Sequence, residues 1–223
     1  MDKFYFLFSN YSIVEFRESI QLFDRYAEKY DRWFEKYDFA YRSELEAVER
    51  FVRSGKSIEI GSGTGRFAIP LGVELGVEPS RKMAEISKKR GLEVVRAIAE
   101  ELPIKSATFK FALMITILCF LTDPVKALKE VKRILKKGGK IVIGMIDGNS
   151  FLGRYYKKRK GNFYSNACFR TPDEVIGWLE LLKFKNIRVF QTIFSLPENI
   201  DSVQSIKEGY GEGGFVIITA EKP

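Results

Sequence analysis

Apolar and polar positions recur along this chain with two different periods. Phe23, Tyr26, Tyr30, Trp33 or Phe34, and Tyr37 repeat at helical spacing, while Asp24, Arg25, Glu28, Lys29, Arg32, Glu35 and Lys36 take the other face. That pattern predicts an amphipathic helix. A second helix is predicted over 43–53, ending near Gly55. From Ser57 onward, short β-rich runs alternate with helical ones. Strands are predicted near 57–61, 73–77, 92–96, 109–116, 139–146, 186–194 and 214–220, with helices near 64–70, 80–90, 123–136, 150–159 and 172–183. Several helices carry explicit boundaries. Ser80 and Asp123-Pro124 supply N-caps, Thr171-Pro172-Asp173-Glu174 is a capping box, and Gly91 and Gly138-Gly139 mark stops.

Strands that alternate with helices predict an α/β fold with a doubly wound, mostly parallel sheet, whose ligands sit at the carboxyl ends of the strands. Only a loop joins the last two strand runs, which leaves antiparallel pairing open to them. Residues 1–41 stand apart, holding 14 of the 31 aromatic side chains. The chain shows no internal repeat and no low-complexity linker.

Composition narrows the chemistry. The 223 residues include no histidine, which excludes a Ser-His-Asp triad, a Cys-His pair and a His-ligated metal; the two cysteines, Cys119 and Cys168, cannot close a zinc site. No metal and no disulfide are expected, and the thiols suit a reducing cytoplasm. Met1 to Phe8 carries Asp2 and Lys3 and does not read as a signal peptide. The longest apolar stretch, Phe111 to Leu121, spans 11 residues, short of the roughly 20 of a membrane span. The net charge of +8 is scattered, and two basic clusters end predicted helices, where cations complement the dipole. Only Lys157 to Lys160, beside Tyr155 and Tyr156, forms a basic and aromatic patch. Abundant Lys and Glu give a composition like that of heat-adapted proteins.

The most informative run is Ser57 to Phe67, SIEIGSGTGRF, where a strand enters a glycine-rich turn. Glycines there admit positive φ and let a ligand approach bare backbone N–H groups. The third glycine is Gly65 and Arg66 follows it, which departs from the dinucleotide spacing G-x-G-x-x-G. A phosphate-loop reading of Gly55-Lys56-Ser57 fails because Arg50 stands where its first glycine belongs. The second strand ends in Glu78, a carboxylate placed to accept hydrogen bonds from both ribose hydroxyls of an adenosine. Taken singly, Glu78 also fits a solvated strand end and Glu59 a loop organiser.

With these features in order, the chain resembles the class I S-adenosylmethionine-dependent methyltransferases, in particular the broad small-molecule family that includes ubiquinone-type methyltransferases. The match runs from about Ser57 to Ile143. Glu59 to Gly65 is similar to the first motif, Glu78-Pro79-Ser80 to the ribose-binding strand end, Ala99 to Pro103 to the loop along the adenine, and Arg133 to Lys140 to the turn into the fifth strand. Phe23 to Asp31 resembles the helix that lids the cofactor in relatives. The resemblance implies a Rossmann-like, seven-stranded sheet with an antiparallel last strand. It further implies a helical lid over 1–54 and a cofactor-binding domain over 55–223, with 149–170 covering the acceptor side, all one folding unit. S-adenosylmethionine is the implied cofactor, held by Glu59, Gly61, Gly63, Gly65, Glu78, Pro79, Ala99, Glu100, Thr116 and Tyr30, and the implied partner is a small-molecule acceptor. Ile98 departs from the polar residue usual before the alanine, and Lys110 from a common Asp. Only 12 residues separate Gly65 from Glu78, with Pro70 among them.

Methyl transfer from a sulfonium is an in-line displacement that positioning alone accelerates, so no catalytic residue is assigned. Tyr26, Tyr30 and Trp33 are candidates to face the sulfonium or the acceptor. Asp147, Tyr210 and Glu212 are conceivable general bases, though each reads first as a loop residue. Thr116-Ile117-Leu118-Cys119-Phe120 lacks the Asn/Asp-Pro-Pro-aromatic run of methyltransferases acting on adenine or glutamine, and Cys119 lacks the preceding proline of cytosine-modifying relatives. Alternative readings are an RNA or protein methyltransferase using Lys157 to Lys160, and a domain that binds the cofactor without catalysis.

Overall fold

The computed structural model describes residues 13–159, 163–164 and 167–223. Met1 to Phe8 and Lys160 lie outside them. Two helices open the described chain, α1 (Ile13–Lys36), kinked at Tyr26, and α2 (Asp38–Glu49). There follow β1 (Ser57–Ile60), β2 (Leu75–Val77), α3 (Arg81–Lys89), β3 (Glu93–Val95), β4 (Phe109–Ile115), α4 (Pro124–Ile134) and β5 (Leu135–Ile146). The remainder is α5 (Phe151–Lys158), α6 (Pro172–Leu181), β6 (Lys185–Thr192), β7 (Lys207–Glu208) and β8 (Phe215–Glu221).

The strands form one sheet in the order β3-β2-β1-β4-β5-β8-β6-β7. β1 to β5 are parallel, and β8 is antiparallel to both β5 and β6. The expected sheet of seven strands thus gains β7, a two-residue strand antiparallel to β6. Strand order reverses between β1 and β4, and the crevice beyond their carboxyl ends is where such sheets bind ligands.

Burial follows the pleat, with side chains alternating between faces. Ala112 and Met114 of β4 and Val216, Ile218 and Ala220 of β8 pack with α4 and α6, whereas Phe111, Leu113, Phe215 and Ile217 pack on the opposite face with residues of α2 and α5. All four residues of β1 are buried, as a central parallel strand covered on both faces requires. The predicted caps form: Ser80 accepts from the Met83 N–H, Asp123 from Lys126, and Thr171 with Glu174 closes a capping box.

Two helical expectations are corrected. Residues 64–70 are successive turns, with helical bonds from the Ile69 N–H to the Gly65 carbonyl and from Leu71 to Phe67. Pro70 has no N–H to continue them, and the Val73 N–H closes the segment on the Ala68 carbonyl. The second helix begins at Asp38 and ends at Glu49, because Phe51 and Val52 tighten into turns and the Phe51 ring packs 4.6 Å from Phe190.

Candidate active site

The turn after β1 is stitched to the end of β2. The N–H groups of Gly61 and Ser62 both donate to the Val77 carbonyl, at 2.7 and 3.0 Å, and the Gly63 N–H donates to Glu78 Oε2 at 2.9 Å. The first three N–H groups of the loop are therefore already paired within the protein. Gly61 has φ +73°, and a Cβ there would stand 2.3 Å from Ile117 Cγ2, so glycine is required. Gly65, φ +83°, lies against Ser87 and Ile69, where a Cβ would approach within 2.8 and 2.9 Å, and so it packs the loop onto α3.

Glu78 is buried, and its Oε1 accepts from the Ser80 N–H at 2.8 Å. Burial pushes its carboxyl up to about 7, against the opposing effect of the Ser80 and Gly63 N–H groups. Across the crevice, Thr116 holds a left-handed φ of +55°, which a β-branched residue adopts only under constraint, and its N–H donates to the Gly144 carbonyl at 2.7 Å. The Tyr30 phenol lines the same cavities as Thr116, and burial raises it well above its ordinary range.

Two cavities meet at Tyr30, Thr116 and Phe120. The smaller, about 90 Å³, is lined by Gly61, Gly63, Glu78, Pro79 and Ala99 together with Ser19, Ile20 and Phe23 of α1. The larger, about 810 Å³, has aromatic walls that include Trp33, Tyr156, Phe163 and Tyr164.

α1 is tied across the crevice by two carboxylates. Asp24 Oδ1 accepts from the Ser80 hydroxyl at 2.6 Å and from the Lys82 N–H at 2.9 Å, at the amino terminus of α3. The buried Asp31 accepts five side-chain hydrogen bonds, from Thr64 Oγ1 at 2.6 Å, Arg66 at 2.9 and 2.6 Å, and Arg90 at 2.7 and 2.6 Å. Burial opposes ionisation of Asp31, but the bonds from Arg90, Arg66 and Thr64 outweigh it and hold the carboxyl well below the usual range.

Of the residues anticipated from sequence, Gly61, Gly63, Glu78, Pro79, Ala99, Thr116 and Tyr30 surround the smaller cavity. Glu59, Gly65 and Glu100 do not line it. Glu59 is buried behind the loop, where burial raises its carboxyl and the Ala68 N–H works against that; its Oε2 has no partner among the described residues. Glu100 Oε1 accepts from the Thr122 and Asp123 N–H groups before α4, leaving its Oε2 unpaired among the described residues. Trp33 lines the larger cavity, while Tyr26 lines neither. Asp147, Tyr210 and Glu212 also stand away from both: Asp147 accepts from the Asn149 N–H, Tyr210 donates to Asp173, and Glu212 pairs with Lys207. In the basic run, Lys157 donates to the Gly148 carbonyl.

Sequence reading missed Asp31 and Glu44. Asp31 entered the sequence reading only as the last residue of the run Phe23 to Asp31, yet Arg66, directly after the glycine triplet, is its partner. Glu44 falls in register with Ala40, Ser43, Ala47 and Val48, the buried face of α2, and that apolar-face position was the available signal.

Comparison with known proteins agrees with this architecture. A methyltransferase-domain family model matches residues 58–143. An uncharacterised protein of Methanocaldococcus jannaschii is 50% identical over 205 residues, covering 91% of this chain and 100% of its own. A solved Thermotoga maritima structure, described as a SAM-dependent methyltransferase, possible histamine N-methyltransferase, shares 47% identity at a TM-score of 0.89 over 92% of this chain and 100% of that one. Demethylmenaquinone methyltransferase of Lactococcus lactis is 24% identical over 160 residues, 69% of this chain and 60% of that enzyme. The chain belongs to the S-adenosylmethionine-dependent methyltransferases. It is an enzyme of that class, with the Rossmann-like fold of the family, and no helix among its described residues is long and apolar enough to cross a membrane.

The residues present fit the cofactor that the class implies. A buried carboxylate, Glu78, opens onto a cavity floored by glycines of positive φ, and that cavity joins the larger one at Tyr30, Thr116 and Phe120.

Proposed function

We propose that this methyltransferase moves the methyl group of S-adenosylmethionine to a small-molecule acceptor held in the larger cavity. The observation that carries the reading is the meeting of the two cavities at Tyr30, Thr116 and Phe120, one against the glycine loop and Glu78, the other walled by aromatics. Bound there, the cofactor supplies an electrophilic methyl. The protein holds acceptor and donor in line and excludes water, which supplies much of the rate in a displacement of this kind.

In this reading Glu78 accepts hydrogen bonds from the ribose hydroxyls, Gly61, Gly63, Pro79 and Ala99 enclose the nucleoside, and Tyr30 and Thr116 stand at the reacting junction. Glu59, Gly65 and Glu100 act from behind, by shaping the loop and the turn before α4. Residues 1–54 serve as the lid, 55–223 as the body, and 149–170 as the acceptor-side cover, through Tyr155, Tyr156, Phe163, Tyr164 and Phe169. A nucleoside ligand needs a pocket of roughly 300 Å³ or more. At about 90 Å³ the smaller cavity is narrowed by Ser19, Ile20 and Phe23, so this part of α1 moves outward on binding.

Thermal unfolding with S-adenosylmethionine, S-adenosylhomocysteine and NAD, each supplied alone, tests the assignment. A ligand at 100 times its Kd adds about 2.7 kcal/mol to stability. The two sulfur ligands are expected to raise Tm and NAD to leave it unchanged; a response to NAD alone overturns the reading.

A further inference from the structure

Among the described residues, Glu44 is the one charged residue inside the larger cavity. The other charged residues that line it, Lys29, Arg32, Lys36 and Arg159 with Glu35 and Glu198, are exposed at its rim, whereas Glu44 is only 6% exposed. Helix α2 fixes it there, because Ala40, Ser43, Ala47 and Val48 on the same face are buried and the Ser43 hydroxyl accepts from the Gln204 N–H at 2.8 Å. Among the described residues, none donates a hydrogen bond to the Glu44 carboxylate and none forms an ion pair with it. Burial alone pushes that carboxyl up to about 8. The aromatic groups around it are Tyr30, Tyr156 and Tyr164, whose own ionisation the Glu44 charge disfavours.

A desolvated carboxylate without a partner is costly in a folded protein, and such a group calls for an explanation. A tyrosine hydroxyl does not neutralise it, and the rings of Tyr156 and Tyr164 are stacked on each other at 4.1 Å. What the site lacks is a cation. Aromatic faces around a buried carboxylate are the surroundings that recognise an organic ammonium, by charge at the carboxylate and by cation–π attraction at the rings. Only a cation draws Glu44 into its ionised form and pairs with it there; a carboxylate or phosphate ligand opposes that charge, and a neutral ligand leaves the cost of burying it uncompensated.

We propose that the acceptor of this enzyme is an amphipathic amine whose protonated amino group pairs with Glu44 inside the aromatic cavity. The proposal rests on the reading of the larger cavity as the acceptor site. It assigns Glu44 a binding role and leaves the methyl displacement as described above.

Isothermal titration calorimetry of the full chain, with and without S-adenosylhomocysteine, tests it with shape-matched probes. These are tryptamine and phenethylamine, their alcohol counterparts tryptophol and 2-phenylethanol, and indole-3-propionate. The amines are expected to bind at least tenfold more tightly than the alcohols, and indole-3-propionate not at all. In Glu44→Gln the amines are expected to lose at least tenfold in affinity, while the alcohols and S-adenosylhomocysteine bind as before. The wild-type comparison of amine with alcohol needs no variant, so it stands even if Glu44→Gln misfolds. Equal binding of amine and alcohol, amine binding undiminished in Glu44→Gln, or no amine binding by a protein that takes up S-adenosylhomocysteine each overturns the proposal. Amine preference without any uptake of S-adenosylhomocysteine sustains the Glu44 assignment and removes the methyltransferase reading instead.

Discussion

Replacing Asp31 with Asn tests whether α1 is fastened over the crevice by charge. The carboxylate accepts five side-chain hydrogen bonds, four of them from the two guanidinium groups of Arg66 and Arg90. An amide keeps one acceptor oxygen, turns an N–H₂ toward donors and removes the charge. A fully buried pair broken on one side costs about 3–5 kcal/mol, and an exposed one about 1 or less. Here the Asp31 side chain is 12% exposed, with Arg66 at 20% and Arg90 at 31%, so solvent screens part of the interaction and about 2–3 kcal/mol is expected. The loss falls on α1, because every partner lies across the crevice from it. Hydrogen exchange measured by mass spectrometry reads it directly: amides of 20–36 are expected to exchange about 30- to 150-fold faster, at about 1.4 kcal/mol per tenfold. The carboxyl of Asp31 is depressed in the folded state, so its contribution is complete above the ordinary carboxylate range and is lost as pH falls toward its folded value. With intrinsic exchange rates corrected for pH, acid should therefore lower the protection of this segment in wild type and much less in Asp31→Asn. A change below about threefold at neutral pH would refute the fastening.

Three further outcomes are expected. Hydroxyl donors favour ionised Glu78, whose carboxyl sits at about 7, so S-adenosylhomocysteine should bind more tightly as pH rises through that value; Glu78→Ala should weaken binding at least tenfold and Glu78→Gln should flatten the pH profile in calorimetry. Glu44 is raised from an ordinary 4.5 to about 8, so in the unliganded protein it destabilises the fold increasingly from pH 4.5 toward 8, by up to about 3 kcal/mol at pH 7. Urea unfolding should then find Glu44→Gln equal to wild type near pH 4.5 and more stable at pH 7, and a pH-independent difference would count against burial as the cause. Gly61→Ala combines a left-handed φ with a 2.3 Å approach to Ile117, a cost of about 2–4 kcal/mol, and calorimetry should show Tm lower by about 4–16 °C.

How much of this was legible in sequence depended on whether the cause was local. Caps at Ser80, Asp123 and Thr171 are short-range hydrogen bonds that sequence states outright, and each formed as read. The alternating strands gave the sheet because parallel strands buried on both faces read as continuous apolar runs. Residues 64–70 misled because their spacing is helical, while Pro70 deletes the one N–H the next turn needs. Among the residues of the candidate site, the glycines and Glu78 were legible because backbone conformation and strand-end position mark them in the sequence. Asp31 and Glu44 were not, because burial of a carboxylate is decided by what packs over it, from residues as distant as Arg90 for the one and Tyr156 and Tyr164 for the other.

The position of β8 between β5 and β6 bears on how the chain emerges from the ribosome. β5 and β6 are both translated before the strand that joins them, and 68 residues stand between Ile146 and Phe215. At about 5–20 residues per second, the β5 edge waits roughly 3–14 s for its partner. During that interval it offers unpaired backbone beside Ile141, Val142 and Ile143, which become fully buried in the finished protein, and an open apolar edge of this kind invites pairing with a neighbouring nascent chain. The demand for chaperones thus falls late in synthesis, between the completion of β5 and the release of residues 215–221.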